Sequence, residues 1–134
     1  MKRFIVILFI LGGSIATSQD IPKKVNTIII TSQKSFKQVA SLLLSEGYSI
    51  SNSDQSIGLL KTDNESVQGW QYFLSINVMD SVITITGKIN MPSVSTQWSD
   101  IENKGMKGSP LKKSFVLMDK FALTLGGDVI YERR

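Results

Sequence analysis

Apolar residues along this chain follow three rhythms, and each predicts a different element. Phe4 to Leu11 is an unbroken apolar run of eight behind Lys2 and Arg3, followed by Gly12-Gly13 and the small residues Ser14, Ala16 and Ser18. A positive start, a short apolar stretch and small residues at −3 and −1 of a cut after Ser18 form the three-part pattern of a secretory signal. The run falls well short of the roughly 20 apolar residues that a membrane span needs. Residues 1–18 are therefore read as a removable export signal, and residues 19–134 as a single α+β domain.

The second rhythm is β-branched or alternating. Gln19 to Lys24 reads as a short leader, and Val25 to Thr31 as a first strand. Tyr48–Ser51 and Ser56–Thr62 both alternate. A two-residue turn at Ser53-Asp54 sets Ile50 opposite Ile57 and Tyr48 opposite Leu59, which sorts apolar and polar residues to different faces. Gly69–Met79 and Val82–Asn90 join in the same way through Asp80-Ser81. That register sets Ile76 opposite Ile85, Val78 opposite Ile83 and Tyr72 opposite Ile89. Asn77 meets Thr84 and Ser75 meets Thr86 on the other face. Leu74 falls opposite Gly87, where a missing side chain permits a bulge or a bend. Asp128 to Glu132 reads as a last strand. A sheet with one oily face and one Ser/Thr/Asn face is covered on one side only.

The third rhythm is the spacing of three and four that marks a helix. Phe36, Val39, Ala40, Leu43 and Leu44 share a face, with Ser32 as N-cap and Gly47 as the residue just past the end. Leu111, Phe115, Met118, Ala122 and Leu125 share another, with Phe121 beside them. Ser109-Pro110 opens that helix and Gly126-Gly127 stops it. Lys112, Lys113, Asp119 and Lys120 fall mainly on its outer side. Residues 91–108 show no rhythm and exceed the usual connection, so they predict either a working loop or a short hidden element.

The predicted order is β-α-β-β-β-β-α-β. It implies a two-layer α+β fold, a curved antiparallel sheet with both helices on one face. This order resembles the fold of the TATA-box-binding protein and the related helix-grip arrangement. The stretch Glu46-Gly47-Tyr48-Ser49-Ile50, continued by Asp54, Gly58 and Thr62, resembles a pattern of small exported bacterial proteins. Among these are lipoprotein components of outer-membrane assembly machinery and secreted Bacteroidota proteins of uncharacterised function. The start Gln19-Asp20 is also similar to exported proteins of that group. The resemblance implies an exported α+β module and carries over no catalytic residue. It does not imply DNA binding, since a fold does not transmit a function. The chain departs from the lipoproteins in lacking the Cys that would bear a lipid.

Composition narrows the chemistry. The 134 residues include no Cys and no His. That excludes disulfides, thiol nucleophiles, imidazole or thiolate metal ligands, and every dyad or triad built on imidazole. The formal charge of +4 becomes +2 once Lys2 and Arg3 leave with the signal. Such a weak excess argues against nucleic acid as a partner, because that requires a concentrated basic surface. Asp54 and Asp80 serve turns. Asp63 and Glu65 sit in a solvated loop with too few oxygens for Ca²⁺. Asp100 and Glu102 near Trp98 form no specific pair. Ser109 or Ser114 with Lys112 or Lys113 is a dyad in name only, since it lacks a shielded site.

Two features remain as candidate binding residues. Lys104, Lys107, Lys112 and Lys113 make a local basic cluster interleaved with Gly105 and Gly108. Trp98 stands in a polar stretch, either as a plug for the open end of the core or as a binding surface. No metal site and no cofactor is expected. The functional expectation is a non-enzymatic binding or adaptor module of the cell envelope, periplasmic or secreted, with a protein or small-molecule ligand. Its working surface would be residues 91–113 and a groove under the second helix. The alternative is a structural subunit that assembles, as a homo-oligomer for instance, through the sheet edge or the Ser/Thr-rich face.

Overall fold

The computed structural model describes residues 6–8, 21–94 and 96–134, the first three by their backbone. Most of the expected export signal and its cut site lie outside the described residues. The exception is a three-residue strand, β1 (Val6–Leu8). Then follow β2 (Thr27–Thr31), α1 (Phe36–Ser45), β3 (Ile50–Asp54), a one-turn 3₁₀ helix (Gln55–Ile57), β4 (Leu59–Thr62) and β5 (Glu65–Val67). The chain continues with β6 (Trp70–Met79), β7 (Val82–Asn90), β8 (Ser99–Asp100), α2 (Pro110–Thr124) and β9 (Asp128–Glu132). The strands form one antiparallel sheet in the order β1-β9-β2-β7-β6-β4-β3; β5 extends the pairing along β6, and β8 adds to β7. The architecture is the expected one: α+β, with one curved antiparallel sheet and two helices.

The β6–β7 hairpin has the predicted register throughout, including Ile76 with Ile85, Val78 with Ile83 and Tyr72 with Ile89. Asp80 and Ser81 both take positive φ, +50° and +63°, which matches the right-handed twist of the paired strands. Ile76, Ile85, Leu74 and Ile83 are fully buried on the inner face, together with Ile28 and Ile30 of β2. Val39 and Leu43 of α1 and Phe115, Met118, Phe121 and Ala122 of α2 close over them in one continuous core.

The β3–β4 hairpin differs from expectation. Ile50 pairs with Thr62 and Asp54 with Leu59, with a bulge between Ile50 and Asn52. The turn is longer than two residues, because the Asp54 carboxylate accepts from the Ser56 amide (3.1 Å) and hydroxyl (2.6 Å) and starts the 3₁₀ turn. Gly58 ends that turn at φ +69°, and a Cβ there would stand 2.1 Å from the Val78 carbonyl oxygen. The extra residues shift the register. Leu60 and Thr62 therefore face inward, while Ile57 is exposed and Leu59 lies on the outer face.

α1 also starts later than predicted. Ser35, not Ser32, is the N-cap. Its hydroxyl accepts from the Gln38 amide (3.2 Å), and the Gln38 side chain accepts from the Ser35 amide (2.8 Å), a reciprocal capping box. Ser32 is buried and donates toward the Leu125 carbonyl (3.4 Å). Leu44 is exposed and Leu42 takes its place against the core. The end is as read: Gly47 at φ +93° lets the Tyr48 amide reach the Leu43 carbonyl and its own amide reach Leu44. Glu65 and Ser66, expected in a solvated loop, join Val67 in β5 because Gln68 and Gly69 turn the chain back onto β6.

Candidate functional site

α2 begins where the sequence predicts. The Ser109 hydroxyl accepts from the Lys112 amide (3.3 Å), and Pro110 takes the first helical position. Phe115, Met118, Phe121 and Ala122 fill the space between α2 and the sheet. Among the described residues, the aromatic and Met side chains of the helix itself occupy the volume of the groove expected beneath it.

The candidate site lies instead on the flank of α2. From Ser99 to Asn103 the connection from β7 to α2 is a strap tied to the sheet. β8 pairs Ser99 with Ile89 and Asp100 with Lys88, and the Ile101 amide donates to the Gly87 carbonyl (2.9 Å). Ile101 is fully buried against Gly87. Two residues on, Asn103 ties down the segment before β2. Its amide donates to the Val25 carbonyl (2.8 Å), and its carbonyl accepts from the Lys24 amide (2.9 Å). Its side-chain Nδ2 donates to the carbonyls of Ile21 (2.9 Å) and Pro22 (3.0 Å). Residues 21–24, expected as a plain leader, thus become a wall.

Between this wall and α2 runs an open cleft of about 650 Å³. Ile21 and Pro22 line one side, Phe115 and Val116 the other. Lys23, Lys112, Asn103 and Asp119 supply its polar groups. The Lys112 ammonium donates to Asn103 Oδ1, which holds the lysine against the strap. The Asp119 carboxylate accepts from the Tyr131 hydroxyl at 2.6 Å. Burial pushes the Asp119 carboxyl above its ordinary value, and the Tyr131 hydrogen bond only partly opposes this. Burial and the adjacent carboxylate push the Tyr131 phenol up, which keeps it protonated and donating.

The five candidate binding residues do not converge. Only Lys112 lines the cleft. Lys104 pairs with Glu102 (3.2 Å) and Lys107 is exposed. Lys113 turns the other way, where its ammonium reaches the Gln68 amide oxygen at 2.6 Å in the amide orientation that also serves the Gly108 carbonyl. Trp98 plugs nothing in the core. It packs on Phe73 (ring centroids 5.1 Å apart) on the outer face, where the Lys61 ammonium stands 4.3 Å from the Phe73 ring centre. The reason is register: Phe73 follows the buried Tyr72, so it points outward and needs a cover.

Periodicity gives no role to Asn103 or Tyr131 and sets Asp119 and Lys112 on the outer side of the second helix, whereas both line the cleft. Asp119 follows Phe115 by four residues, which places it on the border of the apolar stripe rather than opposite it. Asn103 carried no signal, because its role depends on a segment about 80 residues earlier in the chain. Among the described residues no group of three or more carboxylates is arranged to hold a metal, and no helix is long and apolar enough to cross a membrane. Neither the models of known protein families nor the curated proteins give a match to this chain.

Proposed function

We propose that this chain is an exported, non-enzymatic binding module of the cell envelope, and that the cleft beside α2 is its binding site. The observation that carries this reading is the composition of the cleft. Apolar walls of Ile21, Pro22, Phe115 and Val116 are bordered by two ammonium groups, Lys23 and Lys112, and by one carboxylate that a tyrosine already satisfies. Small-ligand sites have this character, apolar contact area with a few placed polar groups. The lysines make a small amphipathic anion the best-matched ligand class. A binding role is also the economical one for a chain with no imidazole or thiol.

Decanoate serves as a probe in an amide-resolved NMR titration. The expected result is a saturable set of shifts at residues 21–23, 103 and 112–119, weakened about tenfold or more in Lys112→Ala, the loss of one charge-assisted contact. Shifts elsewhere, or none, overturn the reading.

A further inference from the structure

The two margins of the sheet are built differently. At one margin, β3 reads Ile50-Ser51-Asn52-Ser53-Asp54, carries a bulge, and is exposed from Ser51 onward. A short, polar, bulged strand is how proteins discourage further pairing. Toward the other margin, β9 lies between β2 and the terminal β1, with Val129-Ile130-Tyr131 at its centre and no bulge in its pairing with β2. Among the described residues, β1 covers its outward side: Val6 opposite Tyr131, Ile7 opposite Ile130 and Leu8 opposite Val129. β1 belongs to the segment that the export reading removes. Cutting after Ser18 therefore strips one side of β9 and leaves a row of unpaired backbone donors and acceptors on an apolar strand.

We propose that β9 in the processed protein is a docking edge for an extended apolar strand of another polypeptide, added antiparallel, with an apolar triplet opposite Val129–Tyr131. The chemistry of the occupant is given by the one seated there, Val-Ile-Leu in a defined register. Backbone hydrogen bonds supply affinity in such strand addition, and alternate side chains supply selectivity. A second copy of β9 fits less well. Two such strands paired about Ile130 set Asp128 opposite Glu132 at both ends, and like charges directly opposite destabilise a pair. The leader strand thus acts as an internal stand-in that keeps the edge closed until processing. This inference rests on the removal of residues 1–18 and does not involve the cleft.

The test uses the full chain with a protease site placed after Ser18. Every described core residue lies between Ile21 and Tyr131, so the cut spares the described core. Hydrogen exchange is followed before and after cutting and removal of the leader. The expected result is an increase of about a hundredfold at the β1-facing amides of β9, with the β6–β7 hairpin unchanged. A synthetic peptide of residues 2–11 then restores protection, and a scrambled polar peptide does not. Ile130→Lys, a charge on the edge, weakens the peptide about tenfold or more. Four outcomes overturn the proposal. These are unchanged β9 exchange after leader removal, loss of β6–β7 protection, failure of the peptide, and a dimer in light scattering with β9 protected, which would make a second copy the occupant. Intact mass of the exported protein is measured alongside, and a chain that keeps its leader overturns it as well.

Discussion

Gly87 lies opposite Leu74, and a Cβ added there would stand 2.5 Å from Ile101 Cδ1 and 3.0 Å from the Phe73 carbonyl oxygen. The absent side chain is the space into which the strap inserts the fully buried Ile101. Gly87→Ala is expected to cost about 1–3 kcal/mol in urea unfolding, the usual range for overpacking. Ile101→Val alone costs about 0.5–1.5 kcal/mol. The two together are expected to cost less than the sum, because the smaller valine vacates the contested volume. Strict additivity would show that the two sites do not meet. Asp119 gives a pH-dependent prediction. Its folded pKa is raised, so between the unfolded and folded values the folded state binds more protons, and stability falls as pH rises through that window. Asp119→Asn keeps an acceptor for the Tyr131 hydroxyl and carries no buried charge. It is expected to raise the melting temperature at neutral pH and to have little effect below pH 3.8, the ordinary carboxyl value. Equal effects at both pH values would mean that desolvation of the carboxylate is not what matters there.

Among the elements, the two helices show how local chemistry fixes a boundary. Ser109-Pro110 was legible because both residues favour the first turn and nothing competes with them. Three serines and threonines, Thr31, Ser32 and Ser35, precede α1, and only the capping box with Gln38 distinguishes Ser35. Ser35→Ala is expected to cost about 1 kcal/mol, typical of a lost N-cap. Helical circular dichroism should fray at that end, whereas Ser32→Ala should leave the helix content unchanged. The two hairpins make the same point for strands. The two-residue Asp80-Ser81 turn fits the twist of its strands, so alternation alone sets that register. The Asp54 side chain starts a turn of its own after β3, and alternation then points to the wrong partner.

Over the whole molecule, the cleft exists because the strap from β7 to α2 holds residues 21–24 in place. Asn103 is 4% exposed and makes two side-chain and two backbone hydrogen bonds to residues 21–25. Asn103→Ala removes the side-chain pair and leaves the Lys112 ammonium without its oriented acceptor. The expected cost is about 1–3 kcal/mol, the range for orphaned polar groups. Hydrogen exchange should quicken over residues 21–24, and decanoate binding at the cleft should weaken. A variant that destabilises the protein while leaving those amides protected would show that the strap does not hold the wall.

Periodicity by itself determined the two helical stripes, the β6–β7 register with its inner and outer faces, the last strand and the resulting two-layer class. These depend on residues close in sequence, and the 3.6 and 2.0 repeats report them directly. Composition determined which chemistries are closed to the chain, since no packing can supply an imidazole or a thiol. Only the tertiary structure decided that Lys112 and Asp119 face a cleft, that Trp98 covers Phe73 on the outer face, and that β9 lies between β2 and Val6–Leu8. Each of these depends on contact between segments far apart in the chain, where the cost of closing the loop is met by shared packing and no local pattern records the partner.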